Sequence, residues 1–333
     1  MSFVVSIILP TYNRASFLPA AFESIVNQDH TDWQLIIVDD GSSDDTENVV
    51  KKFAARVHQT VIYQWQQNGG AGAARNAAVR HVKGDFVAFF DSDDYWLPHH
   101  LEDCCSALQS NSEVDWVFGG AEVVDFASGR TIIKNTIHAS GEDRPCTKLK
   151  SIRRGSLNII DDPKEKLCAL EHGHFAGLQA SVMRRSVVDS IPYPTDRIAD
   201  DTVFGMRITA NGYRAAYFDQ VHIRRFLHDD HVSLVHGSND FEKSLQTTKQ
   251  YLFAMEKLSD LKNLTTKERR ALDKHLAAIR FWNLGYSTYW MNGHFKEAIE
   301  AFQKGLKLTP YDLRKIKTYS LCVLKNHFRG NRS

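Results

Sequence analysis

This chain has no charge excess: 41 Lys and Arg stand against 40 Asp and Glu among its 333 residues. No broad basic surface of the kind that neutralises phosphate backbones is expected, which excludes nucleic acid as a partner. Cysteine is scarce and odd in number, with Cys104, Cys105, Cys146, Cys168 and Cys322 showing neither zinc-ligand spacing nor a small-domain disulfide framework. That usage fits reduced thiols in a cytoplasmic protein. No apolar run approaches the roughly 20 residues that span a bilayer. The opening stretch from Phe3 to Leu9 is too short for a secretory h-region, has no basic residues before it and ends at Pro10. The expectation is a chain that meets a membrane, if at all, from the inner, cytoplasmic surface.

What is present is an ordinary soluble composition, 43% hydrophobic and 24% charged, long enough for about two domains. Up to about residue 120, strand and helix patterns alternate. Val4–Leu9, Leu35–Val38, Val61–Tyr63, Phe86–Phe90 and Trp116–Phe118 read as strands. Between them, Ser16 is placed to cap a helix bearing Leu18, Ala21, Phe22, Ile25 and Val26, and Ser43 one bearing Val49, Val50, Phe53 and Val57. Further helices are expected near 72–82 and 98–110. Such alternation implies an α/β domain with a mostly parallel sheet covered on both faces. From about 125 to 175 the pattern dissolves, which predicts an irregular insertion. A strand at Leu178–Met183, a helix at 200–211 ended by Asn211-Gly212, and a strand at Arg214–Phe218 follow.

Two acidic clusters sit where apolar strands run out, LIIVDDGSSDDT from Leu35 and GDFVAFFDSDDYWLP from Gly84. Strand carboxyl ends line the ligand crevice of open α/β sheets. Carboxylates gathered there repel one another and point to a cation or to sugar hydroxyls among them. A purely structural reading also exists for each group. Asp39 and Asp40 can begin a turn, Asp94 can cap the helix after Pro98, Arg75 can be a surface arginine, and Asp200 and Asp201 can open a helix at the favourable end of its dipole.

Five motifs in one order reduce the force of those readings: SIILPTYNR from Ser6, VDDGSSDDT from Val38, NGGAGAARN from Asn68, DSDD at Asp91–Asp94 and IADDTVFGMRI from Ile198. Together they resemble glycosyltransferase family 2, the inverting enzymes with a GT-A, Rossmann-like fold, over roughly residues 4–235. The resemblance implies a catalytic domain over residues 1–238 that uses a nucleotide-sugar donor, UDP-linked, and a saccharide or lipid-linked acceptor in cell-surface polysaccharide or glycoconjugate synthesis. It implies nucleotide contacts from Pro10, Thr11, Tyr12, Asp40, Arg75, Asp91 and Ser92, with the second aspartate of the Asp39–Asp40 pair in that role. Asp91 and Asp93 take the place of the DXD motif that holds Mn²⁺ or Mg²⁺, Asp93 as ligand and Asp91 at the ribose or a metal-bound water. Asp201 takes the base position, with Asp200 where the family usually has Glu. His228, in the His228-Asp229-Asp230-His231 group, is a further metal or diphosphate candidate, in a run that suits a loop better than a closed zinc site. The family's QxxRW motif is absent, which favours transfer of a single sugar.

Residues 239–333 read as wholly helical, with patterns at Phe241–Leu258, Lys267–Met291, Phe295–Leu308 and Asp312–Lys325. Trp282, Tyr289, Gly293, Phe295, Ala298, Phe302 and Pro310 have the spacing of one tetratricopeptide repeat, over about 279–312, with Leu284-Gly285 one position early. The segment from Arg314 to Arg332 mixes six Lys and Arg with Ile316, Leu321, Val323, Leu324 and Phe328, a composition compatible with peripheral membrane contact or with a packed basic helix. Homo-oligomerisation is equally compatible with the sequence. Two other functions remain open. Gly70-Ala71-Gly72-Ala73-Ala74-Arg75 superficially resembles the GxGxxG of nicotinamide oxidoreductases, and a repeat-like C-terminus suits a non-catalytic scaffold.

Overall fold

A computed structural model describes residues 3–141, 145–174, 177–196, 198–228 and 240–330. Asp229, Asp230 and His231 lie outside the described residues, as does the expected 238/239 boundary. The chain divides into two compact units, one of residues 1–166 and 174–229, the other of residues 167–173 and 230–333.

In the first unit, β1 (Val5–Thr11), β2 (Trp33–Asp39), β3 (Thr60–Trp65) and β4 (Phe86–Phe89) are joined by α1 (Leu18–Val26), α2 (Thr46–Ala54) and α3 (Ala71–Val79). Next come β5 (Asp94–Trp96), α4 (His100–Ser110), β6 (Trp116–Asp125) and β7 (Thr131–Ile133). Then follow β8 (Ser151–Arg154) and β9 (Leu157–Ile160), next in the chain α5 (Glu165–His172), which from Leu167 on belongs to the second unit, and then β10 (Ser181–Arg184), α6 (Arg185–Ser190), α7 (Asp200–Ala210) and β11 (Ala215–Leu227). The strands form one sheet in the order β3-β2-β1-β4-β10-β6-β11-β9-β8, with β5 beside β11 and β7 beside β6. The first four strands are parallel, but β10 runs antiparallel to both of its neighbours, as do β5, β7, β8 and β9 to theirs. The sheet is therefore mixed, parallel in its N-terminal half and around β6–β11.

Both faces are covered. Val5, Ile7 and Leu9 of β1, with Leu35 and Ile37 of β2, pack with Phe22, Val50 and Leu101 from α1, α2 and α4. Their alternates Ile8, Ile36 and Val38 pack with Ala74, Val187 and Phe204 from α3, α6 and α7. This double burial explains why these strands read as continuous apolar runs rather than as alternating ones.

Three expectations change. Neither Ser16 nor Ser43 caps a helix, since α1 and α2 begin after Phe17 and Asp45 without a side-chain cap. Instead the backbone N–H of Asn13 donates to Ser42 Oγ (2.8 Å) and that of Ser43 to Asn13 Oδ1 (2.8 Å), tying the loops after β1 and β2 together. The described part of the 125–175 region is not without regular structure: it supplies the short elements β7, β8, β9 and α5. Its strands are three or four residues long and all four positions of β8 are exposed, so no periodicity marked them. Residues 178–180 form a 3₁₀ turn before β10 begins at Ser181.

The second unit is helical: α8 (Phe241–Glu256), α9 (Thr266–Ala278), a π-helical stretch over Ile279–Tyr289, α10 (Phe295–Leu308) and α11 (Leu313–Gly330). A reciprocal capping box starts α9, with Glu268 N donating to Thr265 Oγ1 (3.3 Å) and Thr265 N to Glu268 Oε2 (2.7 Å). Phe281 and Phe302 meet at 4.5 Å between ring centroids, in a core with Tyr289, Ala298, Ala301 and Cys322. The wider π turns change which residues face α10, so repeat spacing alone does not establish a tetratricopeptide helix pair. Phe302 is fully buried, and Phe302→Ala should cost about 3–5 kcal/mol. Hydrogen exchange of amides in 281–302 would report it as lost protection, and unchanged protection would contradict this packing.

Candidate active site

The register of the sheet brings the acidic loops together. Thr11 pairs with Asp39 at the ends of β1 and β2, and the Asp40 N–H donates to the Thr11 carbonyl (2.8 Å). On the other side of β1, Ile8 pairs with Phe89 and its carbonyl accepts from Phe90 N, so the chain leaves the sheet as Asp91 begins. Both acidic loops thus emerge at the carboxyl ends of β2 and β4, the parallel strands that flank β1.

Asp39 and Asp40 are almost wholly buried and internally bonded. Asp39 accepts from Ser42 N (2.7 Å) and Tyr63 OH (2.7 Å). Asp40 accepts from Gly69 N (2.9 Å), Gly70 N (2.7 Å) and Gln66 Nε2 (2.7 Å). It therefore anchors the loop before α3, where Gly70 adopts φ 90°. Neither aspartate caps α2. Of the other predicted nucleotide contacts, Pro10, Thr11 and Ser92 are buried, while the Tyr12 ring is half exposed beside them in sequence.

Arg75 is not a surface arginine. It sits within α3, 5% exposed, and donates through Nη2 to Asp91 Oδ1 (2.6 Å) and through Nη1 to Asp200 Oδ2 (3.0 Å). Its guanidinium lies 4.7 Å over the ring of Tyr193, whose hydroxyl donates to Asp201 Oδ1. One cation thus joins the loop after β4 to the start of α7. Around it the AARN segment holds the chain at 193–195. Asn76 Nδ2 donates to the Tyr193 carbonyl (2.9 Å), and Tyr193 N donates to Asn76 Oδ1 (2.9 Å). A Cβ at Gly72 would stand 2.0 Å from the Pro194 carbonyl oxygen, so only glycine allows this approach. Sequence reasoning missed Tyr193 and Asn76. The only signal was the aromatic residue a few positions before the Asp200–Asp201 pair.

Asp200 and Asp201 open α7, as the structural reading required, and they also face Arg75 and Tyr193. Ala199 precedes them at φ 65°, a left-handed conformation that is uncommon for a non-glycine residue and concentrates at functional sites. Asp93 Oδ2 lies 3.0 Å from His228 Nε2 and 3.9 Å from Arg14 Nη2. Asp94 does not cap α4: it starts β5, is buried, and its Oδ1 has no hydrogen-bond partner among the described residues.

These carboxyls raise one another. Burial pushes Asp91 up, Arg75 opposes this, and Asp201 and Asp93 add to it. Burial also holds Asp94 well above the carboxylate range, against Arg225 and with help from Asp91, Asp93 and Asp201. Asp200 is pushed to about 7 by burial and by Asp201, with Arg75 opposing. An under-compensated group of hard oxygen donors fits Mg²⁺ or Mn²⁺, which bind through one or two carboxylates plus substrate phosphates.

The sequence model of glycosyl transferase family 2 matches residues 6–191, more than half of the chain. The chain belongs to that family. It is 33% identical over 123 residues, 37% of this chain and 47% of the relative, to the UDP-Glc:alpha-D-GlcNAc-diphosphoundecaprenol beta-1,3-glucosyltransferase WfgD of Escherichia coli. It is 30% identical over 162 residues, 49% of this chain and 63% of the relative, to the putative teichuronic acid biosynthesis glycosyltransferase TuaG of Bacillus subtilis. The matched stretch thus spans less than two thirds of either relative. Among solved structures, S. aureus TarS 1-349 in complex with UDP matches with TM-score 0.58 at 19% identity, covering 92% of this chain and 81% of that one. Mannosyltransferase PcManGT from Pyrobaculum calidifontis, in complex with GDP-Man and Mn²⁺, matches at TM-score 0.57 and 17% identity, covering 98% and 81%. These last two likenesses show the GT-A fold.

The raised Asp200 carboxyl gives a pH test. Its folded pKa of about 7 lies above the ordinary 3.8, so the folded chain keeps a proton that the unfolded chain has released. Its stabilising contribution is lost as pH rises from 3.8 to about 7. Asp200→Asn should flatten that decline in denaturant titrations of the metal-free chain. A slope equal to the unsubstituted chain's would show that Asp200 titrates normally.

Proposed function

We propose that the chain is an inverting, metal-dependent, non-processive transferase that moves one sugar from a UDP-linked donor to a saccharide or lipid-linked saccharide acceptor in cell-surface glycan synthesis. The observation that carries this reading is the convergence of Asp91 and Asp200 on the buried Arg75, with Asp201 held by Tyr193 beside them. A displacement at an anomeric carbon needs one carboxylate to take the acceptor hydroxyl's proton as its oxygen attacks. Asp201 is assigned that role, and the Tyr193 hydroxyl fixes the orientation of its carboxylate. Asp200 supports it from the Arg75 side, and its departure from the family's Glu leaves that ion pair possible at 3.0 Å.

Asp93 and Asp91, with His228, are assigned to hold Mn²⁺ or Mg²⁺, which would stabilise charge on the diphosphate leaving group. Pro10, Thr11, Tyr12 and Ser92 are assigned to the nucleotide pocket, where the exposed Tyr12 ring suits a base. Asp40 belongs to the same pocket as the residue that holds the 66–70 loop in place. Arg75 is assigned to organise that site electrostatically, since both of its Nη atoms are engaged by carboxylates. The donor and acceptor follow the name of WfgD, which specifies UDP-Glc and a diphosphoundecaprenol-linked sugar.

A nicotinamide cofactor suits this loop poorly, because the Gly69 and Gly70 amides that would meet its phosphates already donate to Asp40. Among the described residues no helix is long and apolar enough to cross a membrane. A peripheral contact through α11 is supported by exposed Leu313, Leu321 and Leu324, although Lys315 is buried against Asp312 and does not face solvent.

Calorimetric titration of UDP should show binding that requires Mn²⁺ and disappears in Asp93→Ala. Binding of GDP in preference to UDP would overturn the donor, and equal binding without metal would overturn the metal. With a turning-over donor and acceptor, Asp201→Asn should lower kcat by about 10²–10⁴-fold and leave UDP affinity nearly unchanged. An unaffected kcat would remove Asp201 from the base position.

A further inference from the structure

We propose that His100, Cys104 and His222 form a buried zinc site that ties α4 to β11. His100 and Cys104 lie one turn apart on α4, a spacing that puts both side chains on one helix face. His222 reaches them from β11, and all three residues are completely buried. The two Nδ1 atoms are 3.3 Å apart, and Cys104 Sγ lies 3.8 Å from that of His100 and 3.9 Å from that of His222. Tetrahedral zinc, with its usual bond lengths to nitrogen and sulfur, holds two nitrogens about 3.3 Å apart and a nitrogen and a sulfur about 3.6 Å apart. The three donors already stand close to those separations.

As plain core residues these side chains are poorly explained. Among the described residues, Nε2 of His100 and Nε2 of His222 have no hydrogen-bond partner although both are buried, and ligation through Nδ1 leaves that of His222 as an N–H 3.9 Å from Asp103 Oδ2. Two neutral imidazoles meeting through Nδ1 share one proton at most, whereas a cation between them takes both Nδ1 lone pairs at once. The fold also makes room for His222, since a Cβ at Gly119 would lie 2.3 Å from its ring. Trp96 packs on His100 at 4.7 Å and Phe218 stacks on His222 at 5.0 Å, which fixes both rings.

A second trio, His99, Asp103 and His222, shares one imidazole with the first. His99 Nε2 already lies 3.2 Å from the Val221 carbonyl, so the buried trio is the better ligand set. Asp103 then falls into the outer position that carboxylates take behind metal-bound histidines, its Oδ2 3.9 Å from His222 Nε2. On binding, Zn²⁺ displaces the Cys104 thiol proton to solvent, leaving a group of net charge +1 that Asp103 offsets. The mixed imidazole and thiolate donors favour zinc over the hard ions suited to Asp91 and Asp93. The site braces the transferase centre from behind. α4 follows the loop that carries Asp93, and β11 leads from His222 to His228, which meets Asp93.

Cobalt(II) tests this, because a thiolate ligand gives a charge-transfer band that carboxylates cannot. The reduced, chelator-stripped full chain should develop that band to saturation at about one ion per chain, and Zn²⁺ should bleach it. Cys104→Ala, with folding checked by circular dichroism, should lose at least about nine tenths of the band. No thiolate band in the unsubstituted chain, or an equal band in Cys104→Ala, overturns the proposal. His100→Gln provides the variant arm should Cys104→Ala fail to fold, and the unsubstituted chain decides the matter independently of UDP binding.

Discussion

The acidic centre depends on one buried guanidinium. Arg75 is the point at which two segments far apart in sequence, the loop after β4 and the first turn of α7, are held in one place. Without a cation between them, Asp91 and Asp200 would face each other across a poorly solvated space, and burial already drives both toward protonation. Arginine suits the task because its planar fork donates in two directions at once and remains charged when buried. A lysine in its place would offer a single point charge, unable to span both carboxylates in the same way.

Arg75 is in turn positioned by a helix made unusually thin. Gly72, Ala73, Ala74, Ala77 and Ala78 leave α3 with little side-chain bulk, so the chain at 193–195 can approach until the Pro194 carbonyl touches the Gly72 backbone. Asn76 closes that contact with two hydrogen bonds to Tyr193. Tyr193 then lies under the guanidinium and against Asp201. The alanine-rich NGGAGAARN segment is thus a packing device for the acidic centre as much as a candidate nucleotide loop.

Different physics decided what could be read from sequence. β1, β2 and β4 were legible because burial on both faces turns them into unbroken apolar runs. The acidic loops were legible because carboxylates at strand ends are costly without a partner. β8 was not, since a strand exposed at all four positions carries no periodicity. Ser16 and Ser43 misled because a serine's preference for caps is local, while the Asn13 and Ser42 bonds that prevailed join two loops. Tyr193 was invisible for the same reason: its partners Asn76 and Arg75 lie more than a hundred residues earlier.

The histidine–cysteine group extends that lesson. Searching for cysteine pairs missed it, because only one cysteine takes part and His222 lies 118 positions from it. The His100–Cys104 spacing on one helix face was the readable half. The other half required β11 to pair with β5, Ile223 beside Trp96, which delivers His222 to α4. That same pairing sets the course of β11 toward His228 and of β5 away from Asp93. Position at the Asp93–His228 contact is therefore set partly by packing several residues behind it and partly by the rings of Phe17 and Phe126 against His228.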